Sequence, residues 1–248
     1  MPHPFRFFCG KGGNPRISHI LTHGKQSLAI ISRAPGRLLP RTFFEGPPER
    51  VSPLLLGKLL VAKDRRGNLL AGRIVEVEAY LGPHNLPPDP AAHTYRGPTP
   101  RNQVIFGPPG HAYVYSIYGR YFCMNISCEP EGLAGCILLR ALEPVAGLDR
   151  MAKNRGLPSG SALRLLTSGP SRLCQALGLT RLGHNGLDVT SNKSPLQVRD
   201  DGYPVPDALV TVRIGIKRAV DLPLRFAVPG NKCVSGPTKL TGVRVPPI

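Results

Sequence analysis

The chain has 248 residues, enough for one large domain or two small ones and for a substantial core without disulfides. Lysine and arginine number 32 against 15 acidic residues, a formal charge of +17, which calls for a polyanionic partner. No apolar run approaches the roughly 20 residues that a spanning helix needs, and none of the six cysteines forms a CxxC or falls at finger spacing with a histidine, which disfavours a structural zinc.

The cations are spread along the chain rather than gathered on one amphipathic helix, so nucleic acid is favoured over an anionic membrane. The scattered cysteines, Cys9, Cys123, Cys128, Cys136, Cys174 and Cys233, suit reduced thiols in an intracellular protein.

Residues 1–38 carry Arg6, Lys11, Arg16, Lys25, Arg33 and Arg37 and no acid. A transit peptide, a disordered basic arm and a start codon further downstream all remain open for this stretch. The ordered domain is expected over 39–248. Ser52-Pro53 predicts a helix start, and from Leu59 the pattern turns to a strand, LLVAKD. Arg65 to Asn68 predicts a turn, and LLAGRIVEVEAY predicts the returning strand. Alternation on that strand sends Val75, Val77 and Ala79 to the core and Ile74, Glu76, Glu78 and Tyr80 to the other face. Two carboxylates roughly 6.5 Å apart repel each other, which raises one pKa. They suit either a general base that activates water or a pair satisfied by nearby cations.

The stretch from Gly82 to Gly110 is rich in proline and glycine and predicts a shaped loop. It carries His93, Arg96, Thr99, Arg101 and Asn102, residue types that suit phosphate contact. The run GHAYVYSIYGRYFCMNIS, Gly110 to Ser127, predicts a hairpin with Tyr118-Gly119-Arg120 at its tip. A tyrosine beside an arginine at a turn points to insertion into a base stack; the alternative is a ring folded onto its own domain. Cys136 to Leu142 predicts a buried strand whose one charge, Arg140, needs a carboxylate or phosphate. Helices are expected over 144–155 and 161–166, and another from Ser168-Pro170 to Gly178 with Arg172 near its start. Strands are expected over 209–216 and 224–228, and the tail after Pro229 is expected to be loosely held. Strands and helices without regular βα alternation predict a single α+β domain with a mostly antiparallel sheet and flanking helices.

Three motifs now stand in order: RIVEVEAYLGP (Arg73 to Pro83), TPRN with FGPPGHAYVYSIYGRYFCMNIS (Thr99 to Ser127), and LLRALEP with SGPSRLCQAL (Leu138 to Leu177). Together they closely resemble the alkyladenine (3-methyladenine) DNA glycosylase family, over about Leu39 to Val234. The resemblance implies a monofunctional base-excision enzyme whose protruding hairpin enters the DNA minor groove. It implies Glu78 as the general base and Tyr80, His93 and Tyr115 as the sandwich around a flipped-out purine. It places Asn125 against the 2-amino group of guanine, Arg140 in the pocket and Tyr118 in the vacated stack. Thr99, Arg101 and Arg172 fall on DNA-contacting positions. The implied substrates are alkylated or deaminated purines in duplex DNA, with a monomeric protein and neither cofactor nor metal. The loop between Tyr80 and His93 is longer and more proline-rich than in vertebrate members, and Arg172 stands where some members have lysine.

Two rival functions keep the same residues. One is a lesion- or nucleic-acid-binding module that retains the wedge without turnover. The other is a hydrolase of free nucleosides, against which the charge and the tip tyrosine speak.

Overall fold

The computed structural model describes residues 34–64, 66–236 and 241–246. The readings of residues 1–33 fall outside the described residues. Ten strands among them form one sheet, every pair antiparallel. They are β1 (Arg37–Leu38), β2 (Leu59–Lys63), β3 (Leu69–Tyr80), β4 (Ala112–Ile117), β5 (Tyr121–Cys128), β6 (Gly135–Ala146), β7 (Leu196–Asp200), β8 (Ala208–Thr211), β9 (Arg225–Ala227) and β10 (Val243–Val245). The main path runs β1-β7-β2-β3-β6-β5-β4, and β10-β8-β9 branches from the far half of β3. The helices are α1 (Pro48–Leu55), α2 (Gln103–Phe106), α3 (Leu148–Arg155), α4 (Leu163–Thr167), α5 (Pro170–Leu177) and α6 (Arg181–His184). None of the helices is long and apolar enough to cross a membrane. The architecture is α+β with a large antiparallel sheet, as the mixed element pattern predicts.

The core lies on one face of the sheet. Val77, Ala79, Val114, Met124, Ile126, Ile137 and Leu139 point into it and meet Val51 and Leu55 of α1 and Leu173, Ala176 and Leu177 of α5. The alternate residues of the same strands are thereby sent to the opposite face, where tyrosines and carboxylates gather.

The returning strand spans the predicted residues, but its alternation is broken. Val75 has no partner on β6 between the pairs Ile74–Leu142 and Glu76–Ala141. Such an extra residue is a β-bulge and shifts the facing of everything on one side of it. Ile74 therefore joins Val77 and Ala79 in the main core, while Val75 packs with Ala141, Ala227, Cys233 and Val234 in a separate cluster. This corrects the simple alternation for Ile74 and Val75 and preserves it for Glu76, Glu78 and Tyr80. A second bulge leaves Arg140 unpaired on β6, between Glu76–Ala141 and Val77–Leu139.

Other expectations shift by a turn or a strand. Helix α1 starts at Pro48, whose fixed φ suits a first turn, and Pro53 lies inside it. Strand β6 runs on to Ala146, so the helix predicted over 144–155 begins only at Leu148. Gly169 precedes α5, and Ser168 makes no side-chain cap to it; Gly178 ends the helix in the left-handed region as predicted. The strand predicted over 209–216 stops at Thr211, because Arg213 and Ile214 spend their hydrogen bonds on side chains of β3 and its following loop. The tail is held: Cys233, Val234 and Ser235 are buried, and Ser235 binds Glu76.

Candidate active site

Register places the site. Tyr113 on β4 pairs with Asn125 on β5, Asn125 with Leu138 on β6, and Leu138 with Glu78 on β3. Directly opposed residues point to the same side, so these four side chains form one row across four strands. Tyr115 and Cys123 pair one step toward the hairpin tip. Tyr80 and Cys136 pair one step the other way. A cavity of about 650 Å³ opens over this surface, a size suited to a small-molecule-sized group. Its walls include Tyr80, His93, Arg101, Tyr115, Tyr118, Asn125 and Arg140.

Glu78 lies one layer beneath the walls and is fully buried. Three wall residues hold its carboxylate. Tyr80 Oη donates to Oε2 at 2.9 Å, the Ile214 backbone N–H donates to Oε1 at 2.9 Å, and Arg140 Nη1 lies 3.2 Å from Oε1. Oε2 accepts only that one hydrogen bond, which leaves it acceptor capacity for a further donor. Burial, followed by the Glu78 charge and the hydrogen bond to it, pushes the Tyr80 hydroxyl above its ordinary range, which keeps it a donor.

Glu76 is different. Its Oε1 accepts from Arg140 Nε at 3.0 Å, Arg225 Nε at 2.7 Å and Ser235 Oγ at 2.9 Å, and its Oε2 accepts from the Ser235 N–H at 2.6 Å. Of the two readings of the carboxylate pair, the satisfied one fits Glu76. Arg140 bridges both acids because the bulge aims it between them. Burial acts to lower its pKa, but Glu78 and Glu76 more than offset this and the net shift is upward.

The aromatic walls are mutually packed. The Tyr113 and Tyr115 rings stack at 5.2 Å between centroids, and His93 meets Tyr115 edge-on at 4.6 Å. His93 Nδ1 lies 3.1 Å from Tyr113 Oη. His93 stays open to solvent at the mouth, but packing of its ring, then the Arg101 charge, lowers its pKa and favours the neutral ring. Asn125 is buried, and the Cys136 thiol points to its Oδ1 at 3.7 Å. Burial pushes that thiol up to about 12, so it keeps its proton.

The loop of His93 is anchored by residues that pattern alone does not single out. Asp89 and Arg213 form a two-pronged ion pair at 2.5 and 2.9 Å with both side chains fully buried. Asp89 also accepts from the Leu81 and Ala91 backbone, and Arg213 donates to the Ala79 carbonyl. The Arg213 guanidinium carbon stands 4.6 Å from the centroid of the Tyr80 ring. Asn102 adds a second clasp, donating to the His93 and Gly97 carbonyls at 2.8 and 3.1 Å.

The hairpin is as predicted, with Ile117 opposite Tyr121 and a three-residue tip. Tyr118 has φ +48° and Gly119 φ +74°, both in the left-handed region. Only glycine adopts such a φ freely, so Tyr118 is held at a cost. Its side chain is 89 % exposed, which removes the reading of a ring folded onto its own domain. At the rim, Arg101 reaches the Ser116 carbonyl at 3.4 Å, and exposed Arg172 lies on the first turn of α5. The Thr99 hydroxyl turns inward to Asn102 Oδ1 at 2.9 Å, which knots the loop.

Tyr113, Asp89, Arg213 and the wall segment Ile214 to Ile216 also belong to the site or its support, without standing out as such in the sequence. Tyr113 carried a signal, since alternation puts it on the face of Tyr115. Asp89 and Arg213 are 124 residues apart and carried none.

Residues 42–232 match the family described as methylpurine-DNA glycosylase. A protein of Koribacter versatilis is 54 % identical over 198 residues, which cover 80 % of this chain and 93 % of the relative. A Burkholderia lata protein is 49 % identical over 206 residues, 83 % of this chain and 94 % of the relative. A Methanoculleus marisnigri protein is 48 % identical over 201 residues, 79 % of this chain and 98 % of the relative. All three are named as 3-methyladenine DNA glycosylases.

Proposed function

The chain belongs to the methylpurine-DNA glycosylase family, and from that premise we propose that it excises alkylated or deaminated purines from duplex DNA with water activated by Glu78. Candidate substrates are 3-methyladenine, 7-methylguanine, hypoxanthine and ethenoadenine. A base inside the duplex is out of reach, so the nucleotide rotates out at a cost of a few kcal/mol. Tyr118, presented bare at the tip, fills the gap and holds the strand open. The extruded base enters the cavity between Tyr80, His93 and Tyr115. A methylated purine carries a positive charge and gains about 0.5 to 2 kcal/mol over the ring faces. The lowered His93 pKa supports this reading, because a neutral ring does not repel the cation.

Glu78 removes a proton from water as the oxygen attacks C1′ and the bond to the base breaks. The bonding electrons leave with the base, and the carboxylate stabilises positive charge on the sugar. A cationic base departs neutral; a neutral purine also needs a proton on its ring. Asn125, with Cys136 at its oxygen, directs its amide nitrogen at the base and crowds a 2-amino group. Among the described residues no lysine lines the cavity, so no amine is placed to form a Schiff base with the sugar.

The observation that carries the proposal is the buried Glu78 carboxylate, held by Tyr80, Ile214 and Arg140 beneath an aromatic cavity, with only one hydrogen bond on its Oε2. The test is single-turnover release of base from a duplex with one hypoxanthine or ethenoadenine. Wild type is expected to leave free base and an alkali-labile site. Glu78→Gln is expected to be slower by about 10² to 10⁴. Equal rates would remove Glu78 from the role, and tight binding without release by wild type would support the binding-module reading.

A further inference from the structure

The wall segment after β8 continues past the cavity into two consecutive exposed cations. Ile214, Gly215 and Ile216 line the cavity, and Ile214 holds Glu78 through its backbone. Lys217 and Arg218 follow at once, both exposed. Among the described residues neither forms an ion pair, although Asp221 lies close in sequence. Within this turn Gly215 and Ala219 both have positive φ, and the Leu222 N–H donates to the Ala219 carbonyl at 3.4 Å.

Sheet order fixes where this lip stands. The cavity floor is β3, β6, β5 and β4, with the hairpin at the β4 edge. The segment joins β8 to β9, and β9 pairs with β3 on the other flank. The segment therefore stands on the flank of the cavity opposite the hairpin, with Lys217 and Arg218 directly after its wall residues. Unpaired cations at the rim of a cavity attract anions and release counterions on binding them.

We propose that Lys217 and Arg218 grip backbone phosphates beside the extruded nucleotide, on the flank opposite the Tyr118 hairpin. The inference rests on the reading that the cavity takes a base from duplex DNA. A nucleotide whose base sits in the cavity must leave its own phosphates at the mouth, and the chain on either side must be held for the base to stay in. The hairpin serves one side with Arg120 and Tyr118. The lip serves the other, next in sequence to the wall residues Ile214 to Ile216.

The test is binding of a labelled duplex with one abasic-site analogue over a series of salt concentrations, using the full chain. Lys217→Ala/Arg218→Ala is expected to flatten the slope of log K against log salt by about 1.8, two phosphate contacts' worth. It should also weaken binding at least tenfold near physiological salt while leaving the base-release rate at saturating enzyme within about twofold (this last an expectation from rim contacts that position without reacting). The charge-keeping Lys217→Arg/Arg218→Lys should retain the wild-type slope, and so should Arg37→Ala/Lys193→Ala, placed away from the mouth. If the alanine pair leaves slope and affinity unchanged while wild type binds the duplex, the lip is overturned and the reading of the cavity stands. If wild type itself shows no duplex binding, that reading fails and the lip fails with it.

Discussion

Glu76 and Glu78 lie two residues apart on one strand, both fully buried, yet Glu76 accepts four hydrogen bonds and Glu78 accepts two. Arg140 touches both, so the same guanidinium secures the fully bonded acid and steadies the one proposed as the base.

The two acids should separate cleanly on substitution. Glu76→Gln strands Arg140 and Arg225 near a neutral amide and should cost about 3 to 5 kcal/mol. Glu78→Gln leaves Arg140 paired to Glu76, so a loss of only about 1 to 2 kcal/mol is expected. Urea denaturation of both variants measures the difference, and equal losses would contradict this division.

Tyr118 should be dispensable for stability. Being exposed, its replacement by alanine should change unfolding by less than about 0.5 kcal/mol, and glycine should be neutral or stabilising because it relaxes the positive φ. Base release from duplex DNA should fall at least about tenfold, while release from single-stranded DNA, where no stack needs filling, should be spared. Loss in both substrates would point to damage of the cavity instead.

The Asp89–Arg213 pair invites a double-mutant cycle. Asp89→Ala leaves a buried guanidinium without its partner and should cost about 3 to 5 kcal/mol. Adding Arg213→Met should recover part of that, with a coupling of about 1 kcal/mol or more. Base release should stay low even in the recovered double variant, because Tyr80 and the His93 loop lose their backing. Full recovery of activity would show the pair to be structural alone.

His93 gives a signed pH dependence. Its pKa is lowered from the ordinary 6.5, so just below that pH the unfolded chain binds a proton that the native protein does not. Native stability from this group is complete above 6.5 and is lost as pH falls through that value toward the lower native pKa. His184 is also shifted down by burial, so His93→Gln should reduce the acid sensitivity without abolishing it. Binding of a cationic base should weaken over the same range in wild type and not in the variant. A variant with the wild-type pH profile would exclude His93 as the titrating group.

Much of this was legible along the chain because it is local. The hairpin, its glycine and the returning strand follow from period-two alternation and turn chemistry, and the bounds of the returning strand were found to the residue. The bulges at Val75 and Arg140 were not, since they arise from how β3 and β6 pair and leave no mark on either strand alone. The strand expected through Ile216 failed for a related reason. Valine and isoleucine there have the right propensity, but the backbone N–H of Ile214 finds a carboxylate, and the guanidinium of Arg213 finds a buried acid from a distant loop. The division between Glu76 and Glu78 likewise needed Arg225 of β9 and Ser235, the latter from a tail that composition made look loose.

The row Tyr113–Asn125–Leu138–Glu78 has a consequence for how this chain can vary. Each member is placed by counting residues along its own strand, so deleting or inserting one residue within β5 or β6 would turn the pocket face into the core face and bury the wrong half of the sheet. Changes in the outer loops carry no such penalty. Length variation among viable descendants of this sequence should therefore gather at the hairpin tip, the part of the proline-rich loop before Asp89, and residues 217–222. Those are the parts proposed to meet the duplex, so grip and lesion reach would be free to drift while the row beneath them stays in phase.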